Sequence, residues 1–204
     1  DSSGYNFVVG CNKVGSVGMV KVFNKSGPYW FSQVGSTLLG AYSTDLFGHA
    51  VDINNFGNII AVGIPNFSGN GYLSGSVQIF ENISGSWVQI GSNIDGESSG
   101  DLSGFSISLS SDGNSIAIGA PENDGFYSSW NGSNMGHIRI FEYNSGIWNQ
   151  IGSDVDGNSS GEGIGFSVSL SSNAEIIATG IPNINTSRVF KFTSNCSGCT
   201  DSLA

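Results

Sequence analysis

Three stretches of this chain repeat one another, and the repetition constrains the fold more than any other feature. Phe47-Gly48-His49-Ala50-Val51-Asp52-Ile53 precedes Ile60-Ala61-Val62-Gly63-Ile64-Pro65. Gly104-Phe105-Ser106-Ile107-Ser108-Leu109 precedes Ile116-Ala117-Ile118-Gly119-Ala120-Pro121. Gly165-Phe166-Ser167-Val168-Ser169-Leu170 precedes Ile177-Ala178-Thr179-Gly180-Ile181-Pro182. An earlier partial copy survives as Phe7-Val8-Val9-Gly10. A fixed period of this kind marks an architecture built from one supersecondary unit stacked on itself.

Each unit reads as four short strands. Phe105, Ile107 and Leu109 alternate with polar residues, which gives a strand with one buried face. Ser111-Asp112-Gly113-Asn114 supplies a hairpin turn. The Ile-Ala-Ile-Gly run is apolar on both faces, and the Gly-x-Pro after it removes a donor and ends the ladder. Strand three spans Val20 to Phe23, Val77 to Phe80 and Ile138 to Phe141. Strand four is Trp87-Val88-Gln89-Ile90-Gly91 and Trp148-Asn149-Gln150-Ile151-Gly152, with Trp30, Gln33, Val34 and Gly35 in the first copy. A repeated four-stranded antiparallel unit of about 40–60 residues is a β-propeller blade. The fold class is therefore all-β, with two whole and two partial blades. The expected units are a partial blade over 1–45, blades over 46–102 and 103–163, a partial blade over 164–194, and a Cys-containing tail or linker over 195–204. The first unit lacks its first strand and the last lacks its fourth.

These motifs resemble the FG-GAP repeat of integrin-alpha-like β-propellers over about residues 5–194. The resemblance implies adhesion, ligand binding or extracellular scaffolding. Many such repeats carry a calcium loop between strands one and two. Calcium takes six to eight oxygens, whereas these turns offer Asp112 with Asn114, Asn173 with Glu175, or Asp52 with Asn54, Asn55 and Asn58. The inter-blade link Asp154, Asp156, Asn158 and Glu162 is the richer oxygen cluster, and calcium is the candidate cofactor there. Asp-Gly and Asn-Ser also form ordinary turns.

The charge balance excludes other classes. With 6 Lys plus Arg against 16 Asp plus Glu, the chain cannot match the phosphate contacts of nucleic-acid binding. No apolar run is long enough for a membrane helix. Seven Asn-x-Ser/Thr sequons, at Asn24, Asn66, Asn82, Asn131, Asn158, Asn185 and Asn195, are glycosylation candidates in expected loops or turns. Asn24, Asn82 and Asn195 fall at the same hairpin, whose turn chemistry alone accounts for them. Cys11, Cys196 and Cys199 are the disulfide candidates; Cys196 and Cys199 lack the second pair a zinc site needs.

No nucleophile elbow, phosphate loop or His-Glu-x-x-His occurs. His49 aligns with Phe105 and Phe166, as a packing residue. His137 aligns with Ser76 at the start of strand three. Glu97 and Glu162 lie in ordinary turn sequence with no apolar pocket in view to raise a pKa. The expectation is a non-enzymatic, extracellular or cell-surface glycoprotein for adhesion or structure. It could enter a surface layer or filament through open strand edges. The alternative is a soluble propeller module binding a glycan or protein through Phe126, Tyr127 and Trp130 in the long loop from Glu122 to Met135. Expected partners are further copies or other extracellular proteins and glycans.

Overall fold

The computed structural model describes residues 5–12, 17–124, 133–192 and 200–201. Among them the chain is all-β and forms a β-propeller arc of four sheets. The first sheet holds β1 (Asn6–Cys11), β2 (Met19–Lys25) and β3 (Phe31–Leu39). The second holds β4 (Val51–Ile53), β5 (Ile59–Ile64), β6 (Ser76–Ile83) and β7 (Ser86–Gln89), with β8 (Ile94–Asp95) also on β6. The third repeats this with β9 (Ser106–Leu109), β10 (Ser115–Ala120), β11 (His137–Asn144), β12 (Ile147–Gln150) and β13 (Val155–Asp156). The fourth holds β14 (Ser167–Leu170), β15 (Ile176–Ile181), β16 (Thr186–Lys191) and β17 (Thr200–Asp201). Every pairing of named strands is antiparallel.

Three details differ from the sequence reading. Strand four is broken: it stops at Gln89 or Gln150 and resumes as β8 or β13. Gly91 interrupts it with φ of +70°, and a Cβ there would sit 2.7 Å from Trp148 of the next sheet. The Trp-x-Gln-Ile-Gly repeat thus pairs each Trp with a seat on the preceding blade. Trp87 Nε1 donates to the Val34 carbonyl at 2.9 Å, and Trp148 Nε1 to that of Ile90 at 3.1 Å. In the first blade the pairing register puts Phe31, not Trp30, at this position. The third difference is β17, which gives the last sheet a fourth strand from within the expected tail.

The core lies between sheets. Three apolar clusters fill the three seams, each mixing strands two and three of one blade with the following blade. That is why β5 and β10 are buried along their whole length. Gly63 and Gly119 permit the approach: a Cβ on either would sit 2.1 Å from the carbonyl oxygen of Gly104 or Gly165, a distance no side chain tolerates. Side chains also bridge the inner strands. Asp52 Oδ2 accepts the Leu109 N–H at 2.7 Å, and Ser108 Oγ accepts that of Leu170 at 3.0 Å. His49 stacks on Phe105 at 4.8 Å, and Phe105 on Phe166 at 5.0 Å, so His49 does take a packing role.

Both ends of the arc show the same faces uncovered. Ile59 is 8% exposed under the third blade, whereas Ile176, its counterpart in the last, is 47% exposed. Trp87 is 7% exposed and its first-blade counterpart Phe31 is 56% exposed, resting edge-on against Phe7. Removing an isoleucine from water stabilises by about 1.5–3 kcal/mol, so these end faces forgo what each internal seam collects.

Candidate functional site

Because the strands alternate in direction, strand-four-to-one links and strand-two-to-three loops share one end of every blade. On that face, between the second and third blades, four charged or titratable side chains converge. His137 opens β11, and Arg139, two residues on, shares its face of the strand. Glu97 lies in the link just after β8, and Asp154 just before β13. His137 Nδ1 stands 3.9 Å from Glu97 Oε2 and 3.8 Å from Asp154 Oδ2. Arg139 reaches Glu97 Oε1 at 3.5 Å and donates to the Asp95 carbonyl at 2.7 Å. It also lies over the Phe141 ring, 5.2 Å from its centroid.

His137 and Arg139 are buried, while the Glu97 side chain is 45% exposed and opens the cluster to solvent. Burial, reinforced by Arg139 and opposed by Asp154, drives the His137 pKa down to about 4, so the ring is neutral at physiological pH. Its Nε2 has no partner, nor does Nε of Arg139. Burial raises the Glu97 pKa. Arg139 works against this, while Asp154, Asp101 and Asp156 add to it. Asp156 is raised by burial and by Asp154. Several carboxylates thus crowd one guanidinium and an imidazole without a full set of hydrogen bonds. Glu97, His137 and Asp154 place one ligand atom each within 4.8 Å of one another and are the residues here that could hold a metal.

Neighbouring links carry variants of the same frame. Asp45, Asp101 and Glu162 occupy equivalent buried positions three residues before the Gly of each strand one. Gln78, Arg139 and Arg188 are equivalent on strand three. Between blades three and four, Arg188 grips Glu162 with two bonds of 2.9 and 3.1 Å. Between blades one and two, Gln78 and Asp45 line a cavity of about 160 Å³ with Phe47 and Phe67. The sequence signal for this frame was available. The chain has two arginines, and both fall at the third residue of strand three.

The expected calcium set does not assemble as one group. Asp154 turns toward His137, whereas Glu162 is taken by Arg188, Ser159 and the Asn158 N–H. Glu97 was read as lying outside any environment able to shift it; burial in the seam does so. In the hairpins, Asp112 is held by Ser110 and Asn114, and its pKa falls because these bonds outweigh burial. Asn54 Oδ1 accepts the N–H groups of Asn58 and Ile59. Both are turn builders. On this opposite face a polar cavity of about 310 Å³ lies among Asp112, Asn114, Glu142 and Asn173.

Among the sequons, Asn158 and Asn185 are exposed. Asn66 donates to the Thr44 carbonyl. Asn24 and Asn82 lie within β2 and β6 rather than in loops. Asn24 donates to Asn6, and Asn82 has a buried amide nitrogen and an oxygen that accepts the Gly85 N–H of the turn. Cys11 is a free, exposed thiol. Asn131, Asn195, Phe126, Tyr127, Trp130, Cys196 and Cys199 lie outside the described residues.

This is a β-propeller whose link face gathers titratable groups at a blade seam. No protein-family model matches the chain, and no curated protein matches it. Solved structures do. A Bacteroides fragilis protein assigned as a 6-phosphogluconolactonase aligns over 97% of this chain and 54% of its own, with a TM-score of 0.61 and 13% identity. The periplasmic gluconolactonase PpgL of Pseudomonas aeruginosa aligns over 92% and 50%, with a TM-score of 0.54 and 15% identity. TolB of Acinetobacter baumannii aligns over 98% and 42%, with a TM-score of 0.54 and 11% identity. The chain spans about half the length of these structures.

These neighbours correct the sequence reading. They are lactonase-like and TolB-like propellers, so the FG-GAP, integrin-alpha-like assignment is withdrawn and β-propeller alone is kept. The adhesive or structural role that the resemblance implied is withdrawn with it, and so are the filament reading drawn from open strand edges and the glycoprotein label drawn from the sequons. The expectation of no enzymatic activity is withdrawn too, because solved structures of similar fold carry lactonase names. It relied on the absence of linear motifs, whereas Glu97, His137 and Asp154 meet only across a seam. Among the described residues no helix is long and apolar enough to cross a membrane.

Proposed function

We propose that this chain is part of a catalytic β-propeller that hydrolyses a small cyclic ester of the sugar-lactone class, outside the cytoplasm, at Glu97, His137, Arg139 and Asp154. The observation that carries the reading is His137. It is a buried, neutral imidazole with its Nε2 unpartnered and its Nδ1 aimed at two carboxylates beside a fixed guanidinium. A structural histidine in a seam normally has its hydrogen bonds made. The lactonase names of the solved structures similar in fold support the substrate class.

Opening a lactone requires water to add to the carbonyl carbon, the ring C–O bond to break, and the water proton to reach the departing alkoxide. Glu97, exposed and raised in pKa, is suited to take and return that proton. Arg139 supplies positive charge where the carbonyl oxygen becomes an oxyanion. The test is hydrolysis of gluconolactone and 6-phosphogluconolactone, followed by proton release against the spontaneous rate. Acceleration by the chain, reduced about 100-fold or more by Glu97→Gln, is the expected result. Rates equal to the uncatalysed background for both substrates would overturn the reading.

A further inference from the structure

We infer that Glu97, His137 and Asp154 together bind one divalent cation of the zinc class, and that Arg139 and Gln150 are its positioning residues. The inference rests on the proposed catalytic reading for its role, and on geometry for its existence.

Each carboxylate has one oxygen engaged and the other turned to His137. Asp154 Oδ1 accepts from Gln150 Nε2 at 2.6 Å, while Oδ2 faces His137 Nδ1 at 3.8 Å. Glu97 Oε1 faces Arg139 at 3.5 Å, while Oε2 faces His137 Nδ1 at 3.9 Å. Contacts of 3.8 and 3.9 Å are too long for hydrogen bonds. Ligands about 2.0–2.2 Å from a tetrahedral zinc stand roughly 3.4 Å apart. The two edges at His137 need to shorten by only a few tenths of an ångström, and the Glu97 and Asp154 oxygens, within 4.8 Å of one another, close the third by turning of the exposed Glu97 side chain. Held outer oxygens with free inner ones are the arrangement by which surrounding residues orient metal ligands.

Charge points the same way. Asp101, Asp154 and Asp156 all act on Glu97, and Asp154 acts on Asp156, with Arg139 the cation that offsets them at Glu97. A dication relieves that imbalance. The imidazole, 2% exposed at its side chain, gains at Nδ1 the partner the protein does not supply. The donor set selects among ions. One nitrogen and two carboxylates suit zinc, whereas calcium asks for six to eight oxygens. Three protein ligands, with Glu97 on the solvent side, leave a position for water. Zinc lowers the pKa of bound water to about 7, so the ion would supply the nucleophile for the hydrolysis proposed above, and Glu97 would then serve as its ligand in place of taking the proton from water. The next seam cannot repeat this, because Thr186 stands at the His137 position and Asn158 at that of Glu97.

The experiment is titration calorimetry of the chelator-treated full chain with zinc, and separately with calcium, with thermal unfolding of the same samples. One zinc per chain, a melting temperature raised by zinc, and little response to calcium are expected. Asp154→Asn should weaken zinc binding at least 10-fold. Gln150→Ala, an exposed substitution that leaves the core intact, should weaken it about 10-fold. Absence of zinc binding below about 1 mM overturns the site, as does unchanged affinity in both variants or preference for calcium. Hydrolysis that survives chelation also overturns the metal while leaving the catalytic reading standing. Zinc binding without hydrolysis does the reverse.

Discussion

The seam between blades two and three and the seam between blades three and four are built from the same positions. In the later seam Glu162 and Arg188 form a closed pair, with Thr186 exposed at the place of His137. The carboxylate takes two bonds from the guanidinium, one from Ser159 and one from the Asn158 N–H. In the earlier seam Asp101 is one methylene shorter and is held by the Ser98 N–H and by Asn123. Arg139 turns instead to Glu97 and the Asp95 carbonyl, and His137 fills the place of threonine. One methylene and one imidazole convert a satisfied ion pair into an unsatisfied cluster open to solvent. Buried groups left unpaired are unfavourable, and such groups concentrate where chemistry is done.

The contrast can be broken most forcefully at Arg188. Arg188→Ala leaves Glu162 buried without its cation and should destabilise the chain by about 3–5 kcal/mol, read by urea unfolding. Arg139→Ala should cost about 1–2 kcal/mol, because its carboxylate partner is half exposed. Equal losses would mean that the two seams are energetically alike.

A smaller effect separates the two equivalent acids by pH. The Glu162 pKa is lowered: its bonds to Arg188, Asn158 and Ser159 outweigh burial. Its contribution is therefore fully present above about pH 4.5 and is lost as pH falls through the folded value. The Asp101 pKa is raised, chiefly by burial. The folded chain then holds that proton more tightly, so stability declines as pH rises through the range above about 3.8. Carboxyl NMR titration should place the two on opposite sides of their ordinary values, and Glu162→Gln should flatten the loss of stability on acidification. Shifts of the same sign at both would contradict this account. The smallest effect sharpens the contrast: Asp101→Glu should reach Arg139 as Glu162 reaches Arg188. A gain of about 0.5–1 kcal/mol and weaker zinc binding are expected, since Glu97 loses the guanidinium that orients it.

The blade was largely legible in the sequence, the site hardly at all. Ile107 and Leu109 alternate with serines, and their strand has one buried face. The Ile-Ala-Ile-Gly run is buried on both. The break in strand four was missed because Gly91 answers to a tryptophan of the next blade, which local pattern does not reveal. The Trp30 assignment slipped to Phe31 because one inserted residue in a turn changes the register without changing composition. His137 aligns with Ser76 in sequence and in register, but its neighbours in space, Glu97 and Asp154, are not its neighbours in the chain.

Period-two patterning, turn residues and the repeated Gly-x-Pro depend on interactions within one unit, so the sequence alone determined that this protein is a set of antiparallel blades. What each seam contains was decided by tertiary structure. Blade-on-blade packing brings Glu97, His137 and Asp154 from three separate segments into one corner, with the imidazole buried and the carboxylates reaching toward solvent. There their charges acquire meaning only through burial and one another.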